Sequence, residues 1–183
     1  MKETFFELLA YLKNPVLEQD SNTDFKDRIS RFFHMLIFCL AVGLLIAPIF
    51  TLIEEFGWVN MDDHAMEDMM QQFSKPMVFF FAVILAPFFE ELFFRAPLTL
   101  FKNVKHFKIA FYIFAVLFGL IHITNFKITT NVLLLTPILV APQTILGGIL
   151  GFIRVKFGLI WSMALHGFYN GILMLIAFSA ESF

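Results

Sequence analysis

The sequence is poor in cysteine and in charge, and each scarcity excludes a class of protein. Its one cysteine, Cys39, lies in an apolar run and has no partner within the chain, which excludes a framework of intrachain disulfides. Only 15% of the residues are charged, and a formal net charge of −2 gives no basic surface for a nucleic-acid partner. The HExxH motif of helical zinc proteases is missing as well.

Apolar residues dominate the chain: 59% of its 183 residues are hydrophobic, and 27 are Phe. Long apolar runs are typical of polytopic membrane proteins, because a helix needs roughly 20 such residues to cross the ~30 Å hydrocarbon core. We therefore expect an all-α membrane helix bundle with about five transmembrane helices. The predicted spans are Met35–Ile53, Pro76–Phe101, Ile109–Thr124, Asn131–Ile153 and Gly158–Ala180. Pro137 and Pro142 are expected to kink or break the fourth.

Residues 1–34 form a polar leader with an amphipathic pattern. Thr4 and Glu7 have the spacing of a capping box, and the sequence after Thr4 predicts an interfacial helix with one apolar stripe. That stripe consists of Phe5, Leu8, Leu9 and Leu12. Residues 35–183 are predicted to form a single transmembrane domain, with the motif-bearing core at about 76–180. A short helix is also expected between Asn60 and Phe73, where methionines recur.

The basic residues predict the orientation of the chain. Outside the predicted spans, ten Lys and Arg residues lie on one side of the membrane and two on the other. By the positive-inside rule the amino terminus is cytoplasmic and the carboxyl terminus lies outside. The expected location is the inner or plasma membrane of a prokaryote. The ten are Lys2, Lys13, Lys26, Arg28, Arg31, Lys102, Lys105, Lys108, Arg154 and Lys156, and the two are Lys75 and Lys127.

Only Glu90, Glu91 and Arg95, of the 28 Asp, Glu, Lys and Arg residues, lie inside the predicted spans. A charge at the membrane centre costs at least ~2.5–3.5 kcal/mol on insertion scales, so such residues indicate a functional site. Glu91 and Arg95 have the i, i+4 spacing of a helical ion pair, which we interpret as structural. Glu90 points about 100° away around the helix and is left as a candidate general base. Pro87 is expected to open the helix and admit water beside Glu90.

Two further polar clusters lie in the third and fifth predicted spans. His122 follows Phe118 by one turn, and a packed, hydrogen-bonded histidine is the alternative interpretation there. His166 and Asn170 share one helical face and offer two donors for an oxygen that gains negative charge. Small residues spaced by four, Gly167 with Gly171 and Gly147 with Gly151, predict close helix packing. The remaining histidines are expected at the solvated surface: His34, His64 and His106.

Taken in order, Glu90-Glu91-x-x-x-Arg95, Phe118-x-x-x-His122 and His166-x-x-x-Asn170 resemble the motif set of the CPBP family, also called the Abi family. These are CAAX-processing and bacteriocin-processing intramembrane glutamic endopeptidases, formerly described as metalloproteases. The resemblance implies hydrolysis of membrane-associated peptides or proteins within the lipid bilayer. It makes Glu90 the base that activates water, helped by His122. His166 and Asn170 become the oxyanion hole, and Glu91, Arg95 and Phe118 become supporting residues.

Three alternatives stay open at the level of sequence. Glu90, His122 and His166 could together bind a divalent metal such as zinc, although Asn170 fits an oxyanion donor better than a ligand, and no cofactor is favoured. A proton-coupled transporter would also bury such groups, but no internal repeat is visible. A catalytically silent membrane scaffold or bacteriocin-immunity-type protein of the same fold would not need Glu90.

Overall fold

The computed structural model describes residues 1–180, and their regular secondary structure is helical throughout. Five segments are long and apolar enough to cross a membrane, which confirms the predicted class: 25–55, 75–100, 104–125, 130–156 and 159–179. The α-helices are α1 Lys2–Lys13, α2 Phe25–Glu55, α3 Ala65–Gln72, α4 Lys75–Phe80, α5 Ala86–Phe94, α6 Val104–Ile121, α7 Thr130–Leu139, α8 Ala141–Lys156 and α9 Leu159–Ala180. Short 3₁₀ helices span Met61–Asp63, Ala96–Leu100 and His122–Asn125.

The N-terminal helix is present, but its predicted capping box is not. The helix α1 begins at Lys2, and the Thr4 hydroxyl lies 3.0 Å from Nδ1 of His34 in α2. His34, predicted to be solvated, is thus partly covered by Thr4 and remains partly exposed. Leu8 and Tyr11 are buried against the bundle, so α1 is docked on the other helices as well as amphipathic.

Helix α8 lies at the centre of the bundle, and glycines let its neighbour approach. A Cβ on Gly147 would lie 3.1 Å from the Ala115 carbonyl oxygen, and one on Gly151 would lie 2.7 Å from the Phe111 ring. Both contacts are with α6, so the predicted close packing is confirmed. The predicted break of the fourth span is confirmed too, since α7 ends at Leu139 and α8 starts at Ala141 with Pro142 in its first turn.

A π-helical segment, Phe81–Leu85, joins α4 to α5 within the second span. Here the Ala86 N–H bonds to the Phe81 carbonyl, five residues earlier. In the same register, residue 87 would donate its N–H to the Ala82 carbonyl. Residue 87 is Pro87, and proline has no backbone N–H. The helix is thus opened one turn before Glu90, as Pro87 predicts, and one carbonyl is left without its backbone donor.

The segment between α2 and α4 folds over the end of the bundle. It contains the predicted short helix, α3, whose first turn is capped by His64: its Nδ1 accepts the Met66 N–H at 3.2 Å. The His64 ring meets Phe126 edge-on with centroids 4.9 Å apart, and its side chain is half-buried. The prediction of a solvated His64 is wrong for this reason, whereas His106 is exposed as expected.

Candidate active site

The helices bring Glu90 and both intramembrane histidines together. Glu90 Oε2 lies 3.9 Å from His122 Nε2 and 3.7 Å from His166 Nε2. The same oxygen is buried and has no hydrogen-bond partner within residues 1–180. A buried carboxylate oxygen without a donor is costly unless water or a ligand serves it. The gap between this oxygen and the two imidazoles is therefore a place for a reacting molecule.

Glu91 is fully buried and binds three side chains. Its Oε1 lies 3.2 Å from His166 Nδ1 and 3.7 Å from Arg95 Nε, and its Oε2 accepts a short hydrogen bond from the Ser162 hydroxyl. The predicted ion pair with Arg95 is thus present, but Glu91 also holds the imidazole of His166. With Nδ1–H donating to Glu91, the Nε2 atom of His166 is directed at Glu90.

Arg95 is the largest fully buried side chain, with 1% of its surface exposed. None of its guanidinium nitrogens has a hydrogen-bond partner within residues 1–180. Its charge is balanced by Glu91 and by the face of Phe118, whose ring centroid lies 4.2 Å from the guanidinium carbon. Phe118 also meets both histidine rings edge-on, at 4.9 Å for His122 and 5.5 Å for His166. Phe118 therefore separates the structural arginine from the two imidazoles.

The orientation of His122 is set by its own helix. Its Nδ1 lies 2.7 Å from the Phe118 carbonyl, so Nδ1 carries the proton and donates. The Nε2 atom of the neutral ring is then an acceptor facing Glu90. Two acceptors 3.9 Å apart do not bond directly, but together they can hold the protons of one water.

Asn170 is held by the irregular backbone of the second span. Its Nδ2 donates to the Ala82 carbonyl at 2.8 Å, the oxygen left free by the π segment and Pro87. An amide nitrogen carries two hydrogens, so a second donor remains. Gly167 makes the approach possible, because a Cβ there would lie 2.8 Å from the Val83 carbonyl oxygen.

These groups line a cavity of about 570 Å³. Glu90, His122, His166 and Asn170 all contribute to its wall, whereas Glu91, Arg95 and Phe118 lie behind it. The remaining wall is mostly apolar: Met66, Met69, Phe81, Ala82, Ala86, Ile121, Leu146, Leu173, Met174 and Ala177, with His64, Thr124, Asn125, Gln143 and Tyr169 as polar members. A largely apolar cavity with a few convergent polar groups is the usual form of a substrate site.

Two residues of this region were missed by the sequence reasoning. Ser162 stands one turn before His166, so Ser162, His166 and Asn170 continue one i, i+4 face, and that spacing could have revealed it. Gln143 follows Pro142 in α8, and its Oε1 is buried without a hydrogen-bond partner in the described chain. A carboxamide in an apolar span was the available signal.

The alternative of a bound metal ion would need a group of ligands that already lie close together. Among residues 1–180, no three His, Cys, Asp or Glu side chains are arranged to hold a metal ion. Each imidazole has its Nδ1 engaged by the protein, His122 with a carbonyl and His166 with a carboxylate. That arrangement orients both Nε2 atoms and serves proton transfer and metal binding alike.

The fold and the cavity define an integral membrane protein whose polar site, a carboxylate facing two imidazoles, lies among its spans. Residues 72–172 match the model of the type II CAAX prenyl endopeptidase Rce1-like family. The chain therefore belongs to this family of proteases, which confirms the resemblance seen in its motifs. Neither a curated protein nor a solved structure matches the chain.

Proposed function

We propose that this protein is an intramembrane endopeptidase that hydrolyses peptide bonds of membrane-associated peptides or proteins. The observation that supports it best is the convergence of two imidazole Nε2 atoms on one unpartnered oxygen of Glu90. General acid–base catalysis needs a base within reach of the proton it takes, directly or through one water. A water between Glu90 and His122 would meet that condition.

In the proposed reaction the Glu90 carboxylate takes a proton from this water while the water oxygen adds to the peptide carbonyl carbon. His122 Nε2 accepts the water's other hydrogen and fixes its direction of attack. The proton held by Glu90 then passes to the leaving amine when the C–N bond breaks. No metal takes part in this scheme, so activity should persist in metal-free buffer with chelator.

His166 and Asn170 stabilise the negative charge that develops on the substrate oxygen. His166 is held at Nδ1 by Glu91 and turns Nε2 toward the oxyanion, to which Nε2–H would donate. Asn170 uses the amide hydrogen not bound to Ala82. Donors that are fixed in advance stabilise a transition state without having to reorganise. Glu91 holds His166 in this way, and the Ala82 carbonyl holds Asn170.

Gln143 is our candidate for holding the substrate backbone. A peptide group carries one donor and one acceptor, and a carboxamide offers the complement of both. Gln143 lines the same cavity from α8, a helix that carries none of the motif residues, and its buried oxygen has no partner in the described chain.

The orientation that accompanies this proposal is the one expected from the basic residues. The amino terminus is placed in the cytoplasm and the carboxyl terminus outside, in a prokaryotic inner or plasma membrane. The ten-to-two distribution of Lys and Arg across the spans supports it.

The decisive experiment compares Glu90→Gln with the native protein. Glu90→Gln keeps the size of the side chain but removes the base, so cleavage should fall by about 10²–10⁴-fold. Glu67→Gln, on α3 and outside the cavity wall, is the matched control and should cleave normally. The readout is proteomics of membrane-proximal peptides from cells expressing each variant. Undiminished cleavage or full biological activity in Glu90→Gln would favour the silent scaffold instead.

A further inference from the structure

The cavity extends from Glu90 toward one end of the bundle only. Along the second span its wall runs back from Glu90 to Phe81, and along α9 it runs forward from His166 to Ala177. On the third span it continues past His122 into Thr124 and Asn125. Because these spans alternate in direction, all three stretches lead to the same end. We call this the acidic end, formed by residues 54–75 and 125–130.

Segment 56–74 contributes to the wall of the cavity at the acidic end. His64, Met66 and Met69 belong to the cavity wall although they lie outside the predicted membrane spans. The described residues of this end include six carboxylates and two lysines: Glu54, Glu55, Asp62, Asp63, Glu67, Asp68, Lys75 and Lys127.

The opposite end, formed by residues 1–31, 96–108 and 154–158, is closed by side-chain packing, and we call it the closed end. Arg154 Nε donates to the Arg95 carbonyl and its Nη2 to the Thr99 hydroxyl, both at 3.1 Å. Tyr11 of α1 packs edge-on against Phe111 and Phe152, with ring centroids 5.6 and 5.0 Å away. In the described part of the chain, the cavity wall includes no residue of this end.

Ten Lys and Arg residues lie at the closed end and only two at the acidic end. Such an asymmetry in short loops places the closed end in the cytoplasm. We infer that the catalytic cavity receives its substrate from the non-cytoplasmic face of the membrane. The substrate class is then a membrane-anchored peptide whose cleaved segment has been exported, rather than a carboxyl terminus presented in the cytoplasm. This inference rests on the proposed protease function.

The direction of the cavity can be measured without any activity. In a Cys39→Ser background, single cysteines at Met69 and His106 are exposed to a membrane-impermeant maleimide on intact cells. We expect labelling at position 69, and at position 106 only after permeabilisation. The reverse pattern would overturn the inference. Asp62→Cys, which is exposed, serves if Met69→Cys fails to fold.

The substrate class is tested with single-span reporters that carry randomised juxtamembrane peptides on either face of the membrane. We expect cleavage that depends on Glu90 only where the peptide is displayed outside. Cleavage of the cytoplasmic display alone would refute the inference and leave the protease function standing. Outward labelling with no cleavage of either display would count against the protease function, and with it against this substrate class.

Discussion

Removing the charge of Glu91 should destabilise the protein by several kcal/mol without changing the shape of the site. In Glu91→Gln the carboxamide oxygen can still accept from Nδ1–H of His166, and the amide nitrogen can donate to the Ser162 hydroxyl oxygen, so the shape of the site is kept. What disappears is the one carboxylate that forms an ion pair with Arg95 within residues 1–180. The Arg95 side chain is 99% buried, and its guanidinium has no hydrogen-bond partner in that part of the chain. Stranding one member of a buried pair costs about 3–5 kcal/mol. For a domain of this length that corresponds to a fall in Tm of about 6–20 °C.

The assay is thermal unfolding in detergent of four proteins: native, Glu91→Gln, Arg95→Met and the double variant. Replacing a buried pair by apolar or neutral groups of similar volume is often neutral, so the double variant should recover most of the loss. Glu67→Gln is the surface control and should stay within about 0.5 kcal/mol of native. An unchanged Tm in Glu91→Gln, or a double variant no more stable than the single ones, would refute the ion-pair reasoning.

Three further outcomes are expected. Asn170→Ala should lower kcat about 10²–10³-fold with KM nearly unchanged, because it removes a donor used in the transition state; a change confined to KM would contradict this role. Gln143→Ala should instead raise KM, by roughly 2- to 12-fold for one hydrogen bond, and steady-state kinetics on the same peptide separate the two effects. Burial, and to a lesser degree the nearby His122, lowers the pKa of His64 below its ordinary value. Because folding lowers this pKa, the stabilisation from the neutral ring that caps α3 is complete above about pH 6.5 and is lost as acidification protonates the ring. The protection factors of the α3 amides, which correct for the intrinsic pH dependence of hydrogen exchange, should therefore fall below that pH in the native protein, while His64→Asn, a non-titrating cap, should show no such dependence; an equal response in both would contradict the assignment. The metal-free mechanism would be overturned by finding one equivalent of bound metal in active protein. The metal and the activity would both have to be lost on chelation and restored on re-addition.

The spans and the Glu91–Arg95 pair could be predicted because both depend on short-range patterns. An apolar run of about 20 residues has few alternatives in lipid, and an i, i+4 pair meets whenever the helix forms. The polar clusters were predicted to share a site because their order along the chain resembles the motif set of the CPBP family. Their roles in catalysis stay predictions.

The contacts that escaped prediction depend on long-range folding or on backbone register. His64 reaches the cavity only because segment 56–74 folds back over the bundle and rests on Phe126, far along the chain. The bond between Asn170 and the Ala82 carbonyl requires a π turn, and side-chain periodicity does not report that register. Thr4 was misassigned since His34, thirty positions away, is a better partner than its own helix terminus.

The π turn also sets the rotational phase of the second span. A π turn holds about one residue more than an α turn, and each residue of an α-helix advances the side chains by about 100°. The side chains after Leu85 are therefore rotated about the helix axis by about 100° from the positions that a continuous α-helix from α4 would give them. Deleting one residue between Phe81 and Leu85 would restore a regular helix and swing Glu90 off the two imidazoles, although no side chain of the site had been altered. In this span the number of residues between α4 and α5, and not only their identity, determines where Glu90 lies.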